Sequence, residues 1–248
     1  MSTQPFQSWA MTHPGARRQY NQDTFVNRPD LGLWAVADGA GGHQGGEIAA
    51  GLLREALDEI PPLLSASEML AQVRLKVGGT HDALRDLANK DHQPISGAST
   101  IVVLIVRNGH FACLWAGDSR AYLLRDGVLR QVSHDHSLVQ ELVDAGALRP
   151  EDAESHPRAN VITRAVGAEV DELLLDKVSD RLQPGDRFLL CSDGLHKTLR
   201  ESDLAAMLAE STGVPPTQAM IAAAVAMGAS DNVTAVVVEI GGAGLSVS

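Results

Sequence analysis

Short apolar runs alternate along the chain with longer segments whose apolar residues recur at helical spacing. The runs are rich in Val, Leu and Ile, and most have turn residues beside them, which predicts β-strands. The predicted strands are Leu33–Ala37, Ile101–Val106, Phe111–Ala116, Ala121–Leu124, Phe188–Cys191 and Val233–Ile240. Apolar residues three or four positions apart predict helices. The predicted helices are Glu47–Ile60, about 67–89, His136–Ala145, Glu201–Glu210 and Thr217–Met227.

The predicted order is two or three strands, two long helices, a block of hairpin-linked strands, a helical insertion, and then strand, helix and strand. Strands grouped in hairpins favour antiparallel sheets with helices outside them. The predicted fold class is therefore α+β, a central antiparallel β-sandwich flanked by helices in α-β-β-α layers. A doubly wound parallel sheet fits this order less well. Ser67 is predicted to open the second helix, and Pro215-Pro216-Thr217 to stop the chain and cap the last one.

Composition and charge exclude several classes of protein. The formal net charge of −11 argues against a nucleic-acid partner, because such proteins present a basic face and the longest basic run here is Arg17-Arg18. No window approaches the roughly 18 consecutive apolar residues of a membrane span, and the N-terminal segment does not resemble a signal peptide. We therefore expect a cytoplasmic protein with no membrane partner. Cys113 and Cys191 lie inside apolar runs, which predicts reduced, packed thiols.

Aspartates at strand ends are the main candidates for chemistry. The segment LWAVADG ends on Asp38, and the similar FLLCSDG ends on Asp193. Asp-Gly alone is a turn signal, and Asp126-Gly127 between two strand-like runs is predicted to be an ordinary hairpin turn. Asp38, Asp118 and Asp193 differ because each closes a notably apolar strand, while Asp231 immediately precedes another one.

These aspartates can be solvated surface residues, or they can share one rim of the fold. On a shared rim, their mutual repulsion would raise pKa values unless cations lay between them. Oxygen ligands without Cys favour Mg²⁺ or Mn²⁺. A glycine after the aspartate also allows a backbone carbonyl to approach an ion.

Eight segments, taken in their order along the chain, resemble the ordered motifs of one protein family. They are RRQYNQD (17–23), VADGAGGHQGGE (36–47), SGAST (96–100), AGDSRAYLLRDG (116–127), SHDHSLVQELVDAG (133–146), HPRANVITRAVG (156–167), LLCSDGL (189–195) and ASDNVTAVVV (229–238). Together they resemble the metal-dependent serine/threonine protein phosphatases of type 2C, in their compact bacterial form. The resemblance runs over about residues 6–240. It implies one catalytic domain over 1–240 with a flap insertion at about 134–170, and a flexible tail over 241–248 is also expected.

The resemblance also implies roles for individual carboxylates. Asp38 corresponds to the carboxylate that bridges two metal ions, and the Gly39 carbonyl corresponds to a ligand of the second ion. Asp193 and Asp231 correspond to ligands of the first ion. Two ions are thus expected per chain, either Mg²⁺ or Mn²⁺.

Two further carboxylates correspond to outer positions of the same site. Asp23 resembles the residue that holds metal-bound water. Asp118 resembles the residue that, with Asp193, holds a third ion in bacterial members.

The chemistry implied is hydrolysis by a metal-bridging water. Two divalent ions about 3.5–4 Å apart lower the pKa of that water and neutralise charge on phosphorus. Arg18 corresponds to the phosphate-binding arginine, and its planar donors suit a phosphate dianion. His43, after the Gly-rich turn, is the candidate that protonates the leaving group. For His134, His136 and His156, in the flap-like segment, structural hydrogen bonds are expected.

The sequence departs from the family pattern in two places. Gln22 stands where a Glu usually precedes the residue matched by Asp23, so one charge beside the second ion is lost. The segment HPRAN also differs from the commoner order His-Pro-x-Arg-Asn, which weakens any inference about how the flap selects a phosphopeptide.

The leading hypothesis is a phosphatase of phosphoserine and phosphothreonine in proteins, acting as a monomer and opposing a bacterial Ser/Thr kinase. A catalytically silent phosphoprotein-binding member is one alternative, supported by Gln22 and opposed by the retained Asp38, Asp193, Asp231 and Arg18. An unrelated two-metal hydrolase of small phosphoesters is another alternative.

Overall fold

A computed structural model describes residues 6–41, 44–89, 97–170, 172–210 and 213–241. The strands are β1 (Phe6–His13), β2 (Asp23–Arg28), β3 (Leu33–Ala40), β4 (Ala98–Ser99), β5 (Ile101–Arg107), β6 (His110–Ala116), β7 (Arg120–Arg125), β8 (Val128–Gln131), β9 (Asp176–Arg181), β10 (Arg187–Cys191) and β11 (Val233–Ile240). The helices are α1 (Gly45–Asp58), α2 (Ala66–Ala88), α3 (Leu138–Asp144), α4 (Asp193–His196), α5 (Glu201–Ala209) and α6 (Pro216–Ala226). A 3₁₀ turn covers Pro150–Asp152.

Two antiparallel sheets pack face to face between two layers of helices. The first sheet has the order β1-β11-β10-β7-β8, and the second has the order β2-β3-β5-β6-β9 with β4 beside β3. One core lies between the sheets, a second lies between the second sheet and helices α1 and α2, and a third lies between the first sheet and helices α5 and α6. The predicted α-β-β-α sandwich is confirmed.

The strand sequences explain this layering. Side chains alternate between the two faces of a strand, so a strand covered on both faces is apolar throughout. In β3, Trp34 and Val36 enter the core between the sheets, while Leu33, Ala35 and Ala37 pack toward α1 and α2. The continuous apolar runs of the central strands therefore follow from burial on both faces.

Tight turns fix the hairpins. Asp126 and Gly127, between β7 and β8, have φ angles of 52° and 76°, and Asn108 and Gly109 join β5 to β6 with φ angles of 48° and 71°. Positive φ at both central positions matches the twist of two-residue hairpins. The hairpin turn predicted at Asp126-Gly127 is confirmed.

Two predicted helix starts were wrong in detail. Helix α2 is capped by Ser65, two residues earlier than predicted, because the Ser65 side chain accepts the Glu68 N–H and Glu68 bonds back to the Ser65 N–H. This reciprocal pair satisfies two otherwise unpaired donors of the first turn. Helix α6 has no side-chain cap, and Pro216 occupies its first turn, where the missing N–H costs nothing.

Several elements were not delimited from the sequence, among them β1, β2, β4, β9 and α4. Strand β9 is exposed at every position, so it has no apolar alternation to reveal it. Strand β2 mixes polar and apolar residues, and α4 is a single turn.

Other predictions have different outcomes. Cys113 and Cys191 are free and buried, as predicted. None of the helices in the described ranges combines the length and apolarity needed to cross a membrane. The division into one domain over 1–240 and a tail stays a prediction, and residues 242–248 of that tail lie outside the described part of the chain.

Candidate active site

One edge of the sandwich gathers the aspartates found at strand ends. Strands β2 and β3 pair so that Asp23 lies directly opposite Asp38. The charges of Asp193 and Asp231 repel both carboxylates, and the charge of Asp118 also repels Asp38. Five carboxyl groups from both sheets therefore meet at a common rim, which is the second of the two alternatives left open for the aspartates at strand ends.

Asp23 is held by hydroxyl groups from the opposite sheet. Its Oδ2 accepts hydrogen bonds of 2.7 Å from both Ser192 Oγ and Thr234 Oγ1, and the side chain is buried. Burial raises the pKa of Asp23 to about 7, although these two hydrogen bonds act in the opposite direction. Its second oxygen, Oδ1, is buried and has no hydrogen-bond partner among the described residues.

Asp38 sits on a backbone fixed by the loop before β5. Its N–H donates to Thr100 Oγ1 at 3.1 Å, and its carbonyl accepts from the Thr100 N–H at 2.9 Å. The Ser99 hydroxyl donates to the same carbonyl at 3.0 Å. Burial, followed by the repulsion of the other four carboxylates, raises the pKa of Asp38 well above its ordinary value.

Basic side chains face the outer carboxylates. Arg18 donates to Oδ2 of Asp231 at 2.8 Å in a half-exposed pair, with side-chain exposures of 56% and 42%. Asp193 Oδ2 accepts from Nζ of Lys197 at 2.8 Å. Burial alone would raise the pKa of Asp193, but the charge and hydrogen bond of Lys197 bring it below its usual range.

Asp118 lies deeper on the same side of the rim. Its side chain is 4% exposed, and its Oδ2 lies 3.3 Å from Lys197 Nζ. Burial and the charge of Asp193 raise the pKa of Asp118 to about 6, while Lys197 acts against this shift. Its Oδ1 has no hydrogen-bond partner in the described ranges.

Close packing explains the glycine after Asp38. A Cβ on Gly39 would lie 2.2 Å from the Gly46 carbonyl oxygen, so only glycine lets β3 approach the start of α1 this closely. Gln22 flanks the contact, because its carbonyl accepts the Gly39 N–H at 3.2 Å. Its own N–H donates to Asn232 Oδ1 at 2.8 Å. This packing adds a second reason for glycine to the predicted approach of a carbonyl to an ion.

The rim opens into a cleft of about 680 Å³. The residues that line it include Arg18, Asp38, Asp193 and Asp231 of the rim, together with Asn160 and Ile162. A smaller cleft of about 330 Å³ lies beside β1 and α6, and none of the rim carboxylates lines it.

The donor set of the rim fits hard divalent cations. All the candidate ligands are oxygens, which suits Mg²⁺ or Mn²⁺. The unpartnered buried oxygens of Asp23 and Asp118 and the raised pKa of Asp38 are what a carboxylate cluster shows without neutralising charge. In the described ranges, no group of three His, Cys, Asp or Glu side chains is positioned to hold one metal ion. Asp231 and Asp193 are turned toward Arg18 and Lys197 instead.

The predicted histidines have different outcomes. His43 lies outside the described residues, so its assigned role stays a prediction. His136 accepts the Gly117 N–H at 3.2 Å and contacts Asp176 at 3.2 Å, and burial lowers its pKa. His134 bonds to Asp144 at 2.7 Å, and His156 Nδ1 accepts the Arg158 N–H at 3.1 Å. The hydrogen bonds expected for these three histidines are present.

Several residues of the rim were missed from the sequence. Ser192 and Thr234 hold Asp23 from 169 and 211 positions away along the chain, so no local pattern could identify them. Lys197 was also missed, although it stands four residues after Asp193 at the start of a helical turn. An acidic residue followed by lysine at this spacing is a recognisable helical pair.

Comparison with known proteins identifies the class. A profile of the family described as Protein phosphatase 2C matches residues 15–228. The serine/threonine phosphatase stp of Listeria monocytogenes is 34% identical over 236 residues, which cover 92% of this chain and 93% of that protein.

Solved structures agree with this class. PppA, described as a key regulatory component of T6SS in Pseudomonas aeruginosa, superposes with a TM-score of 0.86 at 39% identity, covering 94% of this chain and 96% of that one. The catalytic domain of the phosphatase PstP, solved in complex with two manganese ions, gives a TM-score of 0.81 at 30% identity, covering 95% and 98%.

The chain therefore belongs to the protein phosphatase 2C family. Within that family it is of the bacterial type, a metal-binding hydrolase with the activity of a protein-serine/threonine phosphatase.

Proposed function

We propose that the chain hydrolyses phosphoserine and phosphothreonine in proteins at the carboxylate rim, with two Mg²⁺ or Mn²⁺ ions bound. One observation carries this proposal: five carboxyl groups meet at one rim, and three of them, Asp38, Asp193 and Asp231, line an open cleft together with Arg18. Such a cluster is costly unless cations neutralise it.

The placement of the side chains supports the ligand assignments that the family resemblance implies. Asp38, the Gly39 carbonyl, Asp193 and Asp231 would hold the two ions, and Asp23 would act through a water molecule. When bound, the ions lower the pKa of water at the site and neutralise charge on the phosphoryl group. Asp23 is suited to orient water because two hydroxyls fix one of its oxygens while the other is unpartnered.

Arg18 would bind the phosphate. Its guanidinium lines the cleft and already faces Asp231, so a phosphate beside Asp231 would lie within its reach. The planar fork matches two phosphate oxygens and can strengthen its contact as charge develops. His43 is proposed to protonate the leaving oxygen.

The finer biological assignments have separate support. The chain is similar over most of its length to proteins named as serine/threonine phosphatases, which supports phosphorylated proteins as substrates. A bacterial Ser/Thr kinase that phosphorylates the same proteins is the proposed counterpart. We further propose that the enzyme acts as a monomer in the cytoplasm, and light scattering of the purified chain tests its oligomeric state.

Hydrolysis of a phosphothreonine peptide by the purified chain tests the activity. Phosphate release should require Mn²⁺ or Mg²⁺ and should stop in excess chelator. Full activity in chelator would contradict the metal-dependent mechanism. Peptide binding without turnover at saturating metal would indicate a phosphoprotein-binding protein instead.

A pair of arginine variants tests phosphate binding. Arg18→Ala should raise KM by about tenfold or more, because a hydrogen bond between charged groups contributes about 1.5–3 kcal/mol. Arg54→Ala, at an exposed arginine of α1 that does not line the cleft, is the matched control and should leave KM nearly unchanged. If Arg18→Ala abolishes metal binding and leaves KM unchanged, the role assigned to Arg18 is wrong.

A further inference from the structure

Lys197 places its ammonium group between three parts of the active-site rim. Nζ lies 2.8 Å from Oδ2 of Asp193, 3.3 Å from Oδ2 of Asp118 and 3.1 Å from Oδ1 of Asn160. The Lys197 side chain is only 30% exposed. An ammonium has three N–H donors, and each of them here has an oxygen acceptor.

The backbone holds this lysine in place. The Lys197 N–H donates to the Asp193 carbonyl at 2.9 Å and so closes the single turn of α4. The neighbouring His196, buried at the same turn, contacts the Asp118 carbonyl through Nε2 at 3.0 Å. The turn is thus held by the backbone carbonyls of Asp193 and Asp118, the two residues whose carboxylates Lys197 bridges.

We propose that the Lys197 ammonium takes the place of a third divalent ion between Asp118 and Asp193. This inference rests on the proposed two-metal phosphatase, and it changes the expected ion count from a possible three to two. The bacterial pattern expects a third ion at these two carboxylates, but in this chain a tethered cation already contacts an oxygen of each.

Electrostatics supports the substitution. The ammonium offsets part of the repulsion between the Asp118 and Asp193 carboxylates, because Nζ lies 3.3 Å and 2.8 Å from their Oδ2 atoms. A divalent ion entering between the same oxygens would meet the positive charge of Nζ at close range. It would also have to displace Lys197 from three hydrogen bonds. The Lys197 ammonium therefore excludes a third ion from this position.

The same lysine acts as a positioning residue for the flap-like segment. Asn160 belongs to that segment and lines the cleft. Its side-chain oxygen bonds directly to Lys197, so the segment and the rim are connected without an intervening ion.

Counting bound Mn²⁺ tests the proposal. Isothermal titration and elemental analysis after equilibrium dialysis should give two ions per chain for the natural protein. Lys197→Gln should give three, because it removes the competing charge and leaves both carboxylates. Lys197→Arg keeps the charge and should stay at two. Lys177→Met, a change at an exposed lysine of β9, is the matched control and should also stay at two.

Melting temperatures test the proposal even if Lys197→Gln folds poorly. In chelator, Lys197→Gln should lower the melting temperature more than Lys177→Met does, and saturating Mn²⁺ should restore most of that loss. Three ions in the natural protein, or two in folded Lys197→Gln, would overturn the proposal. These ion counts do not depend on turnover, so an inactive protein that binds two ions would refute the proposed function without refuting the role of Lys197.

Discussion

Asp23 and Asp38 face each other at directly opposite positions of two antiparallel strands. Like charges at such positions destabilise a sheet. Burial makes the conflict worse, because it raises the pKa of both groups. The proposed binding of cations at the rim would explain this pair.

The variant Asp38→Asn separates binding chemistry from folding. Activity with Mn²⁺ should fall by about 10²–10³-fold or more, since several kcal/mol of charge stabilisation depend on correctly placed ions. The fold should persist, because the main chain of Asp38 makes the contacts to Thr100 and Ser99. Steady-state kinetics and circular dichroism check both expectations. Near-normal turnover by folded Asp38→Asn would exclude a bridging role for this carboxylate.

Gln22 offers a gain-of-affinity test at the residue scale. The residue lines the cleft and lies beside Gly39, so Gln22→Glu should bring a negative charge near the second ion. In a partly solvated site this charge should add on the order of 1 kcal/mol to metal binding. The Mn²⁺ concentration for half-maximal activity should fall by about fivefold. Superimposable titration curves at equal salt would remove the Gln22 side chain from the metal site.

At the scale of elements, the turn after β10 is packed against the entry to β11. A Cβ on Gly194 would lie 2.0 Å from the Asn232 carbonyl oxygen, which is backbone and cannot move aside cheaply. The contact places Asp193 and Asp231, which flank these two residues, at the same part of the rim.

Gly194→Ala should therefore disturb both stability and metal binding. Overpacking of this kind costs about 1–3 kcal/mol of unfolding free energy, which urea denaturation measures. Gly79→Ala is the matched control, because it is an exposed position inside α2 where a Cβ meets nothing within 4 Å. That change should stabilise the helix by about 0.5–1 kcal/mol. Equal effects of the two substitutions would show that the close contact at Gly194 is unimportant.

The elements predicted from the sequence are those whose buried residues form a recognisable pattern of apolar positions. Strands β5 and β11 are covered on both faces, and their continuous apolar runs were recognised with nearly correct bounds. Strand β9 was missed because its exposed, polar sequence carries no such pattern, and it forms only by pairing with β6. The same limit applies to the site. Aspartates at strand ends are visible in the sequence, whereas the hydroxyls that hold Asp23 are brought to it by tertiary folding.

At the scale of the whole molecule, the rim is a concentration of like charge on an otherwise well-packed sandwich. Three apolar cores stabilise the layers, while the carboxylates at one edge oppose folding when no cation is bound. Proteins commonly break local rules at functional sites and compensate for the cost elsewhere. This arrangement makes the stability of the metal-free protein depend on pH.

The pH dependence has a defined sign. Asp23 has a folded pKa of about 7, raised from 3.8 by burial, so the folded chain binds its proton more tightly than the unfolded chain does. The penalty for ionising Asp23 is absent below about pH 4, grows as pH rises from 4 to 7, and levels off above the folded pKa. Asp118, with a pKa of about 6, acts in the same direction. His196, whose pKa burial lowers to about 3, acts in the opposite direction below about pH 6.5.

A comparison of two proteins isolates the contribution of Asp23. In chelator, the unfolding free energy of the natural chain relative to Asp23→Asn should fall by on the order of 2 kcal/mol between pH 5 and pH 8. The histidine contributions cancel in this difference, because both proteins contain them. Saturating Mn²⁺ should reduce the difference in slope, since bound cations favour the ionised carboxylates. Urea denaturation at several pH values provides the measurement. Parallel pH profiles for the two proteins in chelator would show that Asp23 is already ionised in the metal-free fold, and that repulsion at the rim is relieved in some other way.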